Sequence, residues 1–185
     1  MFRVLTLSSL LVTLLACSAE TDMGEIRVTR ASVDTAGTGS RLRASIRYDF
    51  SDSVLDALHH GVPLTVEWDL ELRHQRRWLW DGTRRRIQQA ATLSFHSLSE
   101  RYVVTYDLTE QSQAFPNLGS ALQALGTVDE PVFLDLKPED EAPLYLRMRS
   151  RFDLASLTPP LQLPALMSSD WRTRSSWFQW PLSPT

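Results

Sequence analysis

Three stretches of this chain alternate apolar and polar residues with a period of two, and that period restricts them to β-structure. In 41–50, Leu42, Ala44, Ile46, Tyr48 and Phe50 alternate with Arg41, Arg43, Ser45, Arg47 and Asp49. In 62–72, Val62, Leu64, Val66, Trp68, Leu70 and Leu72 alternate with Thr65, Glu67, Asp69 and Glu71. In 144–154, Leu144, Leu146, Met148, Phe152 and Leu154 alternate with Arg147, Arg149, Arg151 and Asp153. Successive side chains of a strand point to opposite faces, whereas a helix needs a period of 3.6. Each stretch therefore reads as a half-buried strand with one wet face.

Weaker strand patterns occupy 25–34, 86–97, 101–109, 131–137 and 170–180. Two stretches read as short helices. Ser51 to His60 opens on cap-type residues and stops at Gly61, and Asn117 to Leu125 stops at Gly126 in the same way. Pro63, Pro131, Pro143, Pro159, Pro160 and Pro164 punctuate strand ends or edges. About eight strands joined by short turns, with no internal repeat, predict an all-β fold: an antiparallel β-sandwich with two short helices, forming one domain over 25–182.

The N-terminus carries a different signal. Arg3 is followed by Val4 to Ala16, uncharged and almost wholly apolar. Thirteen residues are too few for a membrane span, which needs about 20, so 1–16 reads as a signal peptide. Leu14-Leu15-Ala16-Cys17 resembles a bacterial lipobox, in which Cys17 is acylated and becomes the first residue. Residues 17–24 are then a tether, and the location is the periplasm, lipid-anchored to a membrane. Ser18 after the Cys resembles outer-membrane sorting. The competing reading is cleavage near Ala19 and a soluble periplasmic protein. Cys17 is the sole cysteine, so no disulfide within the chain is possible and stability must come from packing.

Without residues 1–16, 18 Arg and Lys face 22 Asp and Glu, a balance of −4 that argues against nucleic-acid binding. Against it stands one basic hairpin. Asp81-Gly82 is a two-residue turn signal. Around it lie Arg73, His74, Arg76, Arg77, Trp78, Leu79, Trp80, Arg84, Arg85 and Arg86, a local charge of +5. Guanidinium pairs with phosphate or carboxylate, and indole favours an interface, so Arg76, Arg77, Trp78, Trp80, Arg84, Arg85 and Arg86 form a candidate binding hairpin. The bland alternative turns both indoles to the core and pairs the arginines with Glu67, Asp69 and Glu71 on a neighbouring strand.

Other constellations carry less. His59 and His60 are adjacent and point apart, His74 and His96 are isolated, and none has metal-ligand spacing. Glu139-Asp140-Glu141 lacks the alternation of a calcium loop. No Gly-x-Ser-x-Gly occurs, and no thiol beyond Cys17 is present for nucleophilic chemistry. Neither a metal nor another cofactor is expected, and no catalytic residue is assigned. Trp171, Trp177 and Trp180 read as an aromatic strand closing the domain.

Phe50 to Leu64 with Ala57-Leu58 and Gly61-Val62-Pro63-Leu64, Trp78, Trp80 and Asp81, Leu93-Ser94-Phe95-His96, Arg101-Tyr102 and Ala121-Leu122 form a recognisable series. It continues through Tyr145, Arg147, Arg149, Phe152-Asp153-Leu154, Pro160-Leu161, Asp170-Trp171, Ser176-Trp177 and Trp180. Together they resemble an uncharacterised proteobacterial exported family, the domain of unknown function 4390 family. Phe95 in place of Tyr, and Thr158 within an expected Leu-Pro, are departures that leave the fold untouched. The resemblance implies an exported protein without assigned activity and genomic linkage to a membrane sensor kinase of the nitrogen-regulation type. The expected role is thus a non-enzymatic envelope lipoprotein that binds a protein or an anionic envelope component. A periplasmic partner of a sensor kinase is the second expectation, and an enzyme without a recognisable motif the third.

Overall fold

The computed structural model describes residues 24–35, 39–74, 82–134 and 143–182. Cys17, the hairpin residues Arg76, Arg77, Trp78 and Trp80, and the acidic run Glu139-Asp140-Glu141 lie outside them. In chain order the elements are β1 (Glu25–Asp34), β2 (Ser40–Asp49), α1 (Asp52–His59), β3 (Leu64–His74), β4 (Gly82–His96), β5 (Arg101–Tyr106) and β6 (Gln111–Phe115). Then follow α2 (Leu118–Leu125), β7 (Thr127–Val132), β8 (Leu144–Phe152), α3 (Pro159–Met167) and β9 (Phe178–Pro181), with short 3-10 turns at Leu154–Ser156 and Asp170–Arg172.

The fold is mostly β, as expected: two antiparallel sheets stacked as a sandwich. One has three strands in the order β1-β2-β7 and the other six in the order β6-β5-β4-β3-β8-β9. The apolar positions of the alternating stretches meet between them. Leu42, Ile46 and Tyr48 of β2 share a core with Leu64, Val66, Leu70 and Leu72 of β3 and with Leu146 and Met148 of β8. Each such side chain contributes about 1.5–3 kcal/mol on leaving water. One polar contact crosses the core, where the Tyr48 hydroxyl lies 3.0 Å from Ser150 Oγ. Burial pushes the Tyr48 phenol far up, so it stays neutral.

Several expectations needed correction. β6, Gln111–Phe115, was not read as a strand because four of its five residues are exposed and give no apolar alternation. Glu100 (φ 51°) and Glu110 (φ 52°) take the left-handed conformation in the turns that flank β5. The proline run around 159–164 is not a strand edge: Pro159 and Pro160 open α3, where a first-turn proline lacks no required N–H. The strand expected over 170–180 is a 3-10 turn and a four-residue β9. Of the strand expected over 131–137, Pro131 and Val132 are the end of β7, which begins at Thr127, and 135–137 lie outside the described residues.

The two helix stops also differ. Gly61 has φ +89°, the left-handed stop that favours glycine. Gly126 does not, with φ −85°. Its backbone instead packs so tightly on β2 that a Cβ would collide with the Ile46 carbonyl oxygen.

Candidate functional site

The charged positions of β3 do not face water. β3 is a central strand, and the register sets Glu67 opposite Arg151, Asp69 opposite Arg149 and Glu71 opposite Arg147 on β8. On its other side Glu71 stands opposite Arg86 of β4. Three consecutive cross-strand acid–arginine pairs therefore share the outer face of the six-stranded sheet.

Asp69 is the hub, with its residue only 1% exposed. Arg86 donates from Nε and Nη2 to its Oδ1 at 3.2 and 3.1 Å, and from Nη2 to Oδ2 at 3.1 Å. Arg149 Nε and Arg151 Nη1 each donate to Oδ2 at 2.9 Å. Glu71 accepts from Arg147 Nε at 2.9 Å and Nη2 at 2.7 Å, and Arg73 Nη1 lies 3.6 Å away. Arg151 also pairs with Glu67. Burial by itself pushes the Asp69 carboxyl up, but the hydrogen bonds from Arg86 and Arg149 and the charge of Arg151 outweigh it. The carboxyl is held below the usual carboxylate range.

A tryptophan lies over this ladder. Ser175 N donates to Ser150 O at 2.8 Å and Ser150 N donates back to Ser175 Oγ at 2.9 Å, which pins 174–177 along the edge of β8. Two residues on, the Trp177 ring sits 4.0 Å from the Arg147 guanidinium carbon and 4.4 Å from that of Arg149, measured to the ring centroid. Both distances fall within cation–π range. The expected aromatic strand therefore does not exist as such. Trp171 packs on Phe152, Trp177 stacks on arginines and Trp180 packs beside Phe178.

The described half of the basic hairpin divides. Arg86 is a structural partner of Asp69 and Glu71, as the bland reading held. Arg85 lies opposite Leu72, and its guanidinium carbon sits 5.6 Å from the Phe133 ring centroid. Arg84 falls at the register shift between Leu72 and Arg73 and is also engaged. Among the described residues the ladder comprises Arg73, Arg86, Arg147, Arg149 and Arg151 with Glu67, Asp69 and Glu71, five positive charges to three negative.

The resulting chemistry is narrow. The Asp69 carboxylate, locked under guanidiniums, stays ionised and is a poor proton carrier. The outer guanidinium edges can still donate to an oxyanion. Among the described residues no three His, Cys, Asp or Glu side chains converge as a metal site. A cleft lined by Tyr48, Trp68, Tyr106 and Leu125 holds about 20 Å³, room for roughly one water.

The sequence over 24–181 matches the model of a domain of unknown function, DUF4390. The chain belongs to this family. The DUF4390 match takes in both sheets, Trp177 and the whole arginine ladder. No curated protein and no solved structure matches the chain.

Proposed function

We propose that this DUF4390 chain is an exported, lipid-anchored envelope protein, and that its sandwich binds an anionic component or an acidic partner protein without catalysing a reaction. The observation that carries this reading is the excess of arginine on the outer face of the six-stranded sheet. Among the described residues of this ladder five guanidiniums stand against three carboxylates, and Arg76, Arg77, Trp78 and Trp80 follow closely in the sequence after Arg73. A phosphate or carboxylate group would meet forked donors already held in place by the carboxylates beneath. The export signal, with Cys17 at its end, supports an acylated protein at a periplasmic membrane surface, with the outer membrane favoured by Ser18.

The test is capture from native membranes by the wild-type chain and by a variant carrying Arg76→Ser, Arg77→Ser and Arg84→Ser. Asp69 keeps its described donors Arg86, Arg149 and Arg151 in this variant, which should keep its unfolding midpoint and yet lose its captured components. Capture unchanged by the three substitutions would reject the basic hairpin beside this ladder as the binding element.

A second reading has its own observation. β6 ends the six-stranded sheet, and among its residues none is charged. An uncharged edge can accept a strand from another chain. The periplasmic domain of a membrane sensor kinase is the candidate, and crosslinking through Gln111 or Gln113 would identify it.

A further inference from the structure

α3 is turned inside out. From Thr158 to Ser169 no residue is charged. Gln162, the one polar side chain within the helix, points inward and donates from Nε2 to Leu157 O at 2.7 Å and Ala155 O at 3.3 Å. Ala165 alone is buried. Leu161, Leu163, Leu166 and Met167 face outward, with Leu163 72% and Met167 86% exposed. A helix packed on a soluble domain ordinarily turns its leucines in and its polar residues out. The prolines at both N-terminal positions fix φ in the first turn, and Pro164 removes one backbone N–H from within the helix.

The place of α3 in the fold indicates what meets that surface. The described chain begins at Gly24, whose backbone packs against Ser51 so closely that a Cβ would come within 2.7 Å of Ser51 N. Two residues on, Ser53 Oγ donates to Asp170 Oδ2 at 2.5 Å, and Asp170 follows Met167 by three positions. Phe50 at the end of β2 touches Phe152 at the end of β8, with ring centroids 5.0 Å apart. The N-terminal attachment point and α3 therefore lie at one end of the sandwich. The turn from β4 to β5 is at that end too, since Leu93 of β4 pairs with Leu64 at the start of β3, and it exposes Leu98 fully. Five of the seven exposed large apolar side chains among the described residues gather there.

We infer that this end of the sandwich is a membrane-contact surface, with Leu161, Leu163, Leu166 and Met167 of α3 seated in the acyl boundary of a lipid bilayer. The inference rests on the anchored reading above for its geometry. The seven Cα-to-Cα steps from Cys17 to Gly24 reach at most about 25 Å when extended. An acylated Cys17 so close by would hold α3 at the bilayer, and apolar side chains on an interfacial helix then bury a few ångströms below the headgroups.

The full chain with Cys17→Ser, which removes the acyl attachment site and the only native thiol, carries an environment-sensitive fluorophore on Leu163→Cys or on Phe133→Cys. Phe133 is a matched control: it is 65% exposed and follows β7 at the opposite end of the sandwich, where Val132 pairs with Ser40. With phosphatidylcholine vesicles, emission at position 163 should rise severalfold and shift to the blue, while emission at position 133 stays as in water. Adding Leu166→Asp and Met167→Asp should abolish the response at 163. A water-like spectrum at 163, or an equal response at both positions, would overturn the inference. So would a rise at 163 that follows protein concentration without vesicles, since that is the behaviour of an interface between copies. The mass of the N-terminal peptide of the wild-type chain tests acylation separately, so failure of the anchor and failure of the contact are distinguishable.

Discussion

On the outer face of the three-stranded sheet, Arg41 reaches Asp129 at 2.9 Å and Arg43 reaches Asp34 at 2.5 Å, with at least half of every side chain exposed. On the outer face of the six-stranded sheet, Arg149 reaches Asp69 at the same 2.9 Å, with side-chain exposures of 19% and 1%. The distances match and the surroundings do not. β2 is flanked by one-sided neighbours in a narrow sheet, and its charges stay in high dielectric, where such pairs contribute little. β3 is flanked on both sides by arginine-bearing strands, and Trp177 closes over part of the result. Charges there have given up hydration, so each is costly without its partner. Identical alternation in sequence thus yields a solvated surface in one sheet and a desolvated ionic layer in the other.

Asp69→Asn should break the comparison most severely. It leaves Arg86, Arg149 and Arg151 without their shared counter-charge, and the expected loss is about 3–5 kcal/mol in denaturant unfolding. Trp177→Ala should cost less, about 1–2 kcal/mol, since it uncovers Arg147 and Arg149 without removing a charge. Tyr48→Phe removes the hydrogen bond between the sheets, while Ser150 Oγ keeps its bond to Glu67 O at 3.0 Å; about 1 kcal/mol is expected. Asp129→Asn, on the solvated face, should leave the unfolding midpoint where it was. Equal losses for Asp69→Asn and Asp129→Asn would mean that the two faces do not differ.

The sandwich was legible because β2 alternates throughout, β3 does so over 64–72, β8 does so with the one exception of Ser150, and the three pack their apolar sets against one another. Alternation alone could not say which strand would be central. Glu67, Asp69 and Glu71 read as a wet face because a charged residue at every second position ordinarily is one. Burial of Asp69 requires arginines on both neighbouring strands, and that depends on the pairing order β4-β3-β8. The signal was present in Arg147, Arg149 and Arg151, whose spacing matches that of Glu67, Asp69 and Glu71 in reverse, as antiparallel register demands. β6 was illegible because an edge strand exposed on both faces leaves no hydrophobic period. α3 was missed because its outward face is apolar, which erases the amphipathic pattern by which helices are recognised. Trp177 was noticed for its ring, but its partners come from β8, nearly thirty residues earlier.

The ionic layer also sets a pH dependence. The folded Asp69 carboxyl is depressed relative to the unfolded chain, where a free Asp titrates near 3.9. Its stabilisation is therefore fully present above about pH 4 and is lost as pH falls through the lower, folded value. Asp69→Asn should remove that part of the acid sensitivity while lowering stability at neutral pH.

That the Asp69 carboxylate beneath the arginines is a fixed counter-charge, and not a proton carrier, is tested most directly by a carbon-13 NMR titration of its side-chain carboxyl in the folded protein. A midpoint below 3.8, with the resonance flat across neutral pH, is the expected result. A midpoint above that value, in the range of a working general acid or base, would contradict it and return an enzymatic role to this face.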